Sequence, residues 1–293
     1  MNGWTHPRGV RITEVGPRDG LQNEARPIAT DDKVRFVDAL SAAGCAEIEV
    51  SSFVSPKWVP QLADAEQVFA RISRRPGCVY SALVPNLEGL ERALAARVDK
   101  IAVFTAASET FSRRNTNASI AESLDRIRPV VDGARAARRP IRAYVSCVVR
   151  CPYEGPVDGR AVRRVVDSLR GMAVDEIDLG DTIGAAVPDD VDRLCDSLDG
   201  ALAPSDFVLH LHDTRRTALA CALRALQLGV TRFDSSAGGL GGCPFAPGAR
   251  GNLATEDLCY MLSGCGIETG VDASAIGAAA ASVKRTLGDS ASR

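Results

Sequence analysis

Eight short apolar runs, each followed by a stretch of helical periodicity, constrain this chain more than any motif in it. The runs near Val10–Val15, Glu47–Val50, Val79–Val84, Lys100–Phe104, Arg142–Val148, Glu176–Leu179, Phe207–Leu211 and Arg232–Ser235 read as strands. Short apolar runs suit strands covered on both faces, as in a buried parallel sheet. Helical patterns lie near Asp31–Ala43, Ala63–Ile72, Leu87–Ala96, Ile120–Ala137, Gly159–Met172, Asp189–Ala201, Ala218–Leu228 and Thr255–Leu262, with a last one over Ala273–Leu287. Eight strand–helix pairs predict an α/β fold, a (β/α)8 TIM barrel with an additional C-terminal helix. The 293 residues suit one such barrel, and no repeat, linker or shift in composition divides them, so a single catalytic domain over 1–293 is expected. A doubly wound open sheet is the competing fold, and the lack of any G-x-G-x-x-G or G-x-x-x-x-G-K-[ST] argues against it.

Helix starts agree with this division. Thr30 reads as an N-cap before acidic Asp31 and Asp32, and Pro188-Asp189-Asp190 opens a later helix. A net charge of −2 gives no electrostatic case for nucleic acid or an anionic membrane. No apolar run approaches the ~18 residues of a membrane span, and Met1–Arg8 lacks the apolar segment of a secretory signal. The nine cysteines are odd in number and contain no C-x-x-C pair, which points to reduced thiols in a cytoplasmic protein and away from a thiolate zinc site.

The chemistry gathers in three stretches. In the first, Val15–Glu24, Gly16 and Pro17 end the first strand and leave Arg18 and Asp19 on a loop at its carboxyl end. The second carries His210 and His212, two of only three histidines, the other being His6. Alternate residues of a strand share a face, so both imidazoles point into the barrel. Paired there, they read as metal ligands more readily than as two buried polar groups without purpose. The third is Gly238–Asn252, with six glycines up to Gly251 around Cys243.

In a closed barrel the eighth strand adjoins both the first and the seventh. Asp19, His210, His212 and Asn252 therefore converge on one sector of the rim. That mixed nitrogen and oxygen set suits an octahedral divalent cation, Mg2+ or Mn2+, with positions left open for substrate oxygens. Glu49, read as the end of the second strand, shares a face with Glu47 and is expected to pair with Arg18 or with the metal shell. Asp181 is a candidate rim acid, and Tyr144 on the fifth strand and Gln22 beside Arg18 are candidate substrate contacts. Cys243, on a loop able to close over a ligand, is a candidate proton donor or acceptor. Arg215 and Arg216 stand where a helix should begin. Cations there oppose the helix dipole, so helix stability does not explain them. An anionic substrate group, a substrate carboxylate or a CoA phosphate, is one reading, and a salt bridge to an acid such as Asp181 or plain solvation is the other.

Several stretches together resemble the 3-hydroxy-3-methylglutaryl-CoA lyase family, within a larger group of barrel metallolyases and Claisen-condensing synthases. They are VGPRDGLQNE, SSFVSPKWVPQLAD, YVSCVVRCPYEG, LGDTIG, HLHDT and DSSAGGLGGCPFAPGARGNLATEDLCYML, spanning Val15 to about Leu262. The glycine loop with its cysteine is particular to the lyase branch. The resemblance implies a homodimeric barrel that binds a divalent metal through Asp19, His210, His212 and Asn252. It implies Arg18, Glu49 and Cys243 as catalytic residues and an acyl-CoA substrate cleaved to acetyl-CoA and acetoacetate. His210 or Asp19 would take the hydroxyl proton. A lyase for another 3-hydroxy-acyl-CoA, a condensing synthase and a non-catalytic acyl-CoA-binding barrel are the alternatives. The chain departs from the family pattern after HDT, where Arg215-Arg216-Thr217 stands in place of Tyr-Gly-Gln. It has Ala25 in place of a lysine, and no cysteine beyond Cys265.

Overall fold

All eight expected strands form. They are β1 (Arg11–Glu14), β2 (Glu47–Ser52), β3 (Val79–Leu83), β4 (Lys100–Ala106), β5 (Ile141–Ser146), β6 (Glu176–Asp181), β7 (Phe207–Leu211) and β8 (Arg232–Ser235). In this computed structural model, which describes residues 7–24, 26–241 and 251–288, they close into a parallel barrel in the order β1-β8-β7-β6-β5-β4-β3-β2. His6, Ala25 and Cys243 lie outside the described residues. Closure pairs Thr13 with Asp234 across β1 and β8, and Asp234 with His210 across β8 and β7.

The helices are α1 (Thr30–Ala42), α2 (Ala65–Arg71), α3 (Leu87–Ala95), α4 (Glu109–Thr116), α5 (Ile120–Ala136), α6 (Gly159–Gly171), α7 (Pro188–Leu198), α8 (Ala218–Gln227), α9 (Thr255–Gly264) and α10 (Ala273–Leu287). Every helix read from periodicity is present. The one not foreseen, α4, buries only Phe111 and Ser112 and so has too little apolar face to signal itself. Its start is fixed instead by Ser108, which accepts the Phe111 N–H at 3.1 Å. A short hairpin that pairs Arg150–Cys151 with Gly155–Pro156 packs beside it. Glu154 ties the two together by accepting from Ser108 Oγ at 2.9 Å and Thr110 N at 2.8 Å.

The two helix starts came out differently. Pro188 is the first residue of α7, and the Asp190 carboxylate accepts the Val187 N–H at 3.0 Å. For α1 the N-cap is Ala29 and not Thr30. Thr30 is the first helical residue, and its hydroxyl is drawn away to Asp64 Oδ2 at 2.7 Å.

The apolar core lies between sheet and helices, where Val37, Leu40, Val130, Val166, Leu198, Ala222 and Leu258 are fully enclosed. Each large aliphatic side chain so buried contributes about 1.5–3 kcal/mol. The strands are buried as expected, but the bore of the barrel is not apolar, which corrects the reading of them as apolar runs. Ile177 and Leu179 of β6 face the helices, while Glu176 and Asp178 face inward onto Arg142. Arg142 is 2% exposed and also donates to Asp234 Oδ1 at 2.8 Å and Thr13 Oγ1 at 2.7 Å. Lys100 Nζ completes the floor, 2.7 Å from Glu47 and 3.4 Å from Glu176. A buried cation is tolerated only with such partners, because desolvation penalises it by several kcal/mol.

Candidate metal centre

Arg18 and Asp19 do not sit on an open loop as expected, but on a tight π-helical turn, Gly16–Gly20. The Val15 carbonyl gathers the N–H groups of Arg18 at 3.1 Å, Asp19 at 2.8 Å and Gly20 at 3.2 Å. Single π-turns of this kind are rare, and they occur disproportionately at functional sites. Gly16 is required there: a Cβ would stand 2.6 Å from Glu14 Oε1 and 3.3 Å from the Phe36 ring.

From the opposite side come His210, on β7, and His212, just past its end at Leu211, with ring centroids 5.0 Å apart. One potential ligand atom each from Asp19, His210 and His212 lies within 4.8 Å of the others. Asn252 joins them through a backbone bridge to His212. Its Nδ2 donates to Asp19 Oδ2 at 2.9 Å and to the Leu240 carbonyl at 3.0 Å. Its Oδ1 is buried and has no hydrogen-bond partner among the described residues.

Both imidazoles are oriented through Nδ1, His210 by Asp234 Oδ2 at 3.1 Å and His212 by the Asp181 carbonyl at 3.1 Å. Nε2 of each ring is thereby left for a ligand, the arrangement metal-binding histidines ordinarily have. Two ring nitrogens, a carboxylate and an orphaned amide oxygen fit a hard to borderline divalent cation.

The electrostatics agree for Asp19 and His212. Burial would raise the Asp19 carboxyl, but Arg18 and the imidazoles outweigh it and hold it at about 2. Burial and the neighbouring His210 push His212 down to about 4, which keeps it neutral and able to ligate near pH 7. His210 moves the other way: burial opposes its charge, but the Asp234 carboxylate more than compensates. Asp234 itself is kept ionised against burial chiefly by Arg142, while Asp178, pressed by burial and by Asp234, is raised. Asp234 was not anticipated from the sequence. An acid inside the short run Arg232–Ser235, beside the histidine strand, was the available signal.

Arg18 lies against the cluster, 6% exposed. Nη1 donates to Asp19 Oδ1 at 2.6 Å and Nε to Glu49 Oε2, and its guanidinium packs 5.2 Å from the Tyr144 ring centroid. The pairing of Glu49 with Arg18 is thus observed. Glu49 does not end β2, however, which runs on to Ser52 through a register shift after Glu49. Tyr144 donates to Glu49 Oε2 at 3.1 Å and meets His210 edge-on at 6.2 Å between centroids. Burial raises Glu49 in spite of Arg18.

The Asp181 carboxylate is buried and turned to the backbone of the segment after β6. It accepts the N–H groups of Ala185 at 3.1 Å and Ala186 at 2.9 Å, and burial raises it to about 6. Its service to the site is through its carbonyl, on His212. The arginine pair is placed differently from expectation too. Because α8 begins only at Ala218, Arg215 and Arg216 lie on the exposed turn before it, and among the described residues neither is in a salt bridge, with Asp181 or otherwise. Arg216 has a left-handed backbone, φ 59°. Gln22 is half-buried just beyond the turn that carries Asp19.

Residues 9–283 match the model of the HMGL-like family. The chain belongs to that family. It is 51% identical over 284 residues to the 3-hydroxy-3-isohexenylglutaryl-CoA/hydroxy-methylglutaryl-CoA lyase of Pseudomonas aeruginosa, covering 97% of this chain and 95% of that one. A crystal structure of hydroxymethylglutaryl-CoA lyase from the same organism superposes with a TM-score of 0.95 at 50% identity, over 97% of this chain and 95% of the other. A second, an HMG-CoA lyase from Acinetobacter baumannii in complex with coenzyme A and 3-methylmalate, gives 0.90 at 37% identity, over 96% and 92%. In an HMGL-like chain the Arg18–Asp19 turn, the histidine pair and Asn252 all fall within the matched region.

Proposed function

We propose that this chain is a divalent-metal-dependent carbon–carbon lyase that cleaves 3-hydroxy-3-methylglutaryl-CoA to acetyl-CoA and acetoacetate. The observation that carries the reading is the four-residue cluster of Asp19, His210, His212 and Asn252, with its orphaned amide oxygen and free Nε2 atoms, set beside the Arg18 guanidinium. These four residues would hold Mg2+ or Mn2+, which would supply Lewis acidity toward the substrate's oxygens.

The residues around the cluster account for the rest of a retro-Claisen cleavage. The 3-hydroxyl proton passes to the Asp19–His210 cluster. The electron pair left on that oxygen becomes the acetoacetate carbonyl as the C2–C3 bond breaks. The pair from the broken bond passes to C2 and is delocalised onto the thioester oxygen. Arg18 is held rigidly by Glu49 and Asp19 and keeps its charge, since these two anions outweigh the effect of burial. A fixed guanidinium beside the developing enolate oxygen stabilises it without reorganising. Tyr144 and Gln22 would line the acyl site, and the Cys243 thiol would return a proton to C2. A homodimer is the assembly the resemblance supports, and sedimentation of the purified chain checks it; the cysteine usage favours the cytoplasm as its place.

The second reading is a lyase for a longer or more polar 3-hydroxy-acyl-CoA. It is favoured by Arg215 and Arg216, exposed, without ion pairs among the described residues, and three and four residues beyond His212. Mass spectrometry of 3-hydroxy-acyl-CoA esters incubated with the protein and Mg2+ or Mn2+ tests both. Cleavage of hydroxymethylglutaryl-CoA ahead of the others supports the first. Preference for a longer acyl chain supports the second.

A further inference from the structure

One fully buried carboxylate takes no part in that chemistry. Glu14 is the last residue of β1 and, unlike the inward Thr13 before it, points outward between the sheet and the helices, where it is 0% exposed. No cation pairs with it among the described residues. Its partners are three neutral donors: Gly16 N at 2.8 Å and Ala237 N at 2.9 Å on Oε1, and Thr255 Oγ1 at 2.7 Å on Oε2. An uncompensated buried acid is expensive, so three donors aimed at one carboxyl need a reason.

The three donors belong to three separate segments, and each leads to a different part of the metal centre. Gly16 opens the π-turn that holds Arg18 and Asp19. Ala237 opens the turn that delivers Leu240, whose carbonyl receives the Asn252 amide. Thr255 is the first residue of α9, three positions after Asn252, and its N–H returns to the Ser236 carbonyl at 3.1 Å. His210 needs no such fastening, because a barrel strand already fixes it, and His212 follows directly on that strand, held through Nδ1 by the Asp181 carbonyl. Asp19 and Asn252 come from opposite ends of the chain and meet outside any strand.

We propose that Glu14 is a positioning residue for the oxygen half of the metal centre: its carboxyl clasps the segments that carry Asp19, Leu240 and Asn252 and so sets the Asp19–Asn252 separation. The inference rests on the metal reading above. Its tolerance of a neutral group is written in the hydrogen bonds. Thr255 Oγ1 lies 2.8 Å from Ser235 Oγ, so this hydroxyl pair can reverse. Oε1 then keeps both N–H donors while the other oxygen donates to Thr255. Glu14→Gln should therefore preserve the clasp, with Oε1 accepting and Nε2 donating, whereas Glu14→Ala removes it.

The test is Mn2+ binding to the purified full chain, followed by electron paramagnetic resonance of the free ion. Wild type should bind Mn2+ at a site lost in His212→Ala. If it does not, the metal reading falls and this inference falls with it. Given that site, Glu14→Ala should weaken Mn2+ binding by ~10-fold or more, as loss of a ligand-orienting partner does. Thr255→Val should weaken it by about 3- to 10-fold, and Glu14→Gln by less than about 3-fold. Well below the melting temperature, lost global stability does not alter an affinity, so the readout separates positioning from general support of the fold. A folded Glu14→Ala with wild-type affinity overturns the proposal, as does a Glu14→Gln as weak as Glu14→Ala. Should Glu14→Ala fail to fold, unchanged affinity in Thr255→Val overturns it.

Discussion

Asn252 illustrates what one residue says before and after folding. From barrel closure it was legible as a ligand on the rim. The cap of α9 is Ala254, and the Asn252 side chain turns to Asp19 instead. The residues that escaped the sequence reading, Asp234 and Glu14, are acids inside short strands, where charge reads as noise against an apolar pattern. Their roles depend on which strand lies next door, which no local periodicity reveals.

Two predictions belong at this scale. Burial raises Glu14 to about 7 despite its three hydrogen bonds. With the folded pKa above the unfolded one, its stabilising contribution is complete below about 4.5, declines as pH rises, and is lost above about 7. Glu14→Gln does not titrate, so its unfolding free energy relative to wild type should rise by ~3 kcal/mol between pH 4 and pH 8. Urea melts at the two pH values check this, and a constant difference would return Glu14 to an ordinary carboxylate. The second concerns Cys243. If its thiol returns the proton to C2, Cys243→Ala should lower kcat ~10²-fold while Mn2+ affinity stays within about 2-fold. Near-normal kcat would take the proton transfer elsewhere.

At the scale of elements, the strands and helices were legible because each buries an apolar stripe on its neighbours. What was not legible lacks such a stripe. The π-turn is set by Gly16, Pro17 and one overloaded carbonyl, and α4 by a serine cap. The Arg215–Arg216 turn is a third case, since α8 starts at Ala218, as its periodicity indicated, and not at the two arginines. There the Asp213 carboxylate accepts the Ala218 N–H at 3.1 Å, and Arg216 takes a left-handed conformation that costs a non-glycine residue roughly 1 kcal/mol. Arg216→Gly should accordingly leave stability unchanged or raise it by up to ~1 kcal/mol in denaturant melts. If the pair recognises an anion, Arg215→Tyr with Arg216→Gly should shift kcat/KM between hydroxymethylglutaryl-CoA and a longer or more polar analogue by ~10-fold. Equal ratios across such a panel would leave the two arginines without a part in recognition.

For the whole molecule, barrel closure does what no segment can do alone. It brings the turn after β1, the end of β7 and the segment after β8 to one sector of the rim. It also fills the bore with a charged network continuous with the site: His210 rests on Asp234, and Asp234 on Arg142, which in turn holds Glu176 and Thr13. Arg142→Met should leave these carboxylates without their cation and destabilise the fold by ~3–5 kcal/mol, seen as a large drop in the urea midpoint. A midpoint within experimental error of wild type would mean the bore does not depend on that charge. The central claim is more direct to test. The purified chain, freed of metal by chelation and dialysis, is given hydroxymethylglutaryl-CoA, and acetyl-CoA and acetoacetate are quantified before and after Mg2+ or Mn2+ is restored. Equal amounts of the two products, formed only with the metal and by a protein that stays folded throughout, are the predicted result. Undiminished cleavage in excess chelator, or none with either metal, would contradict it.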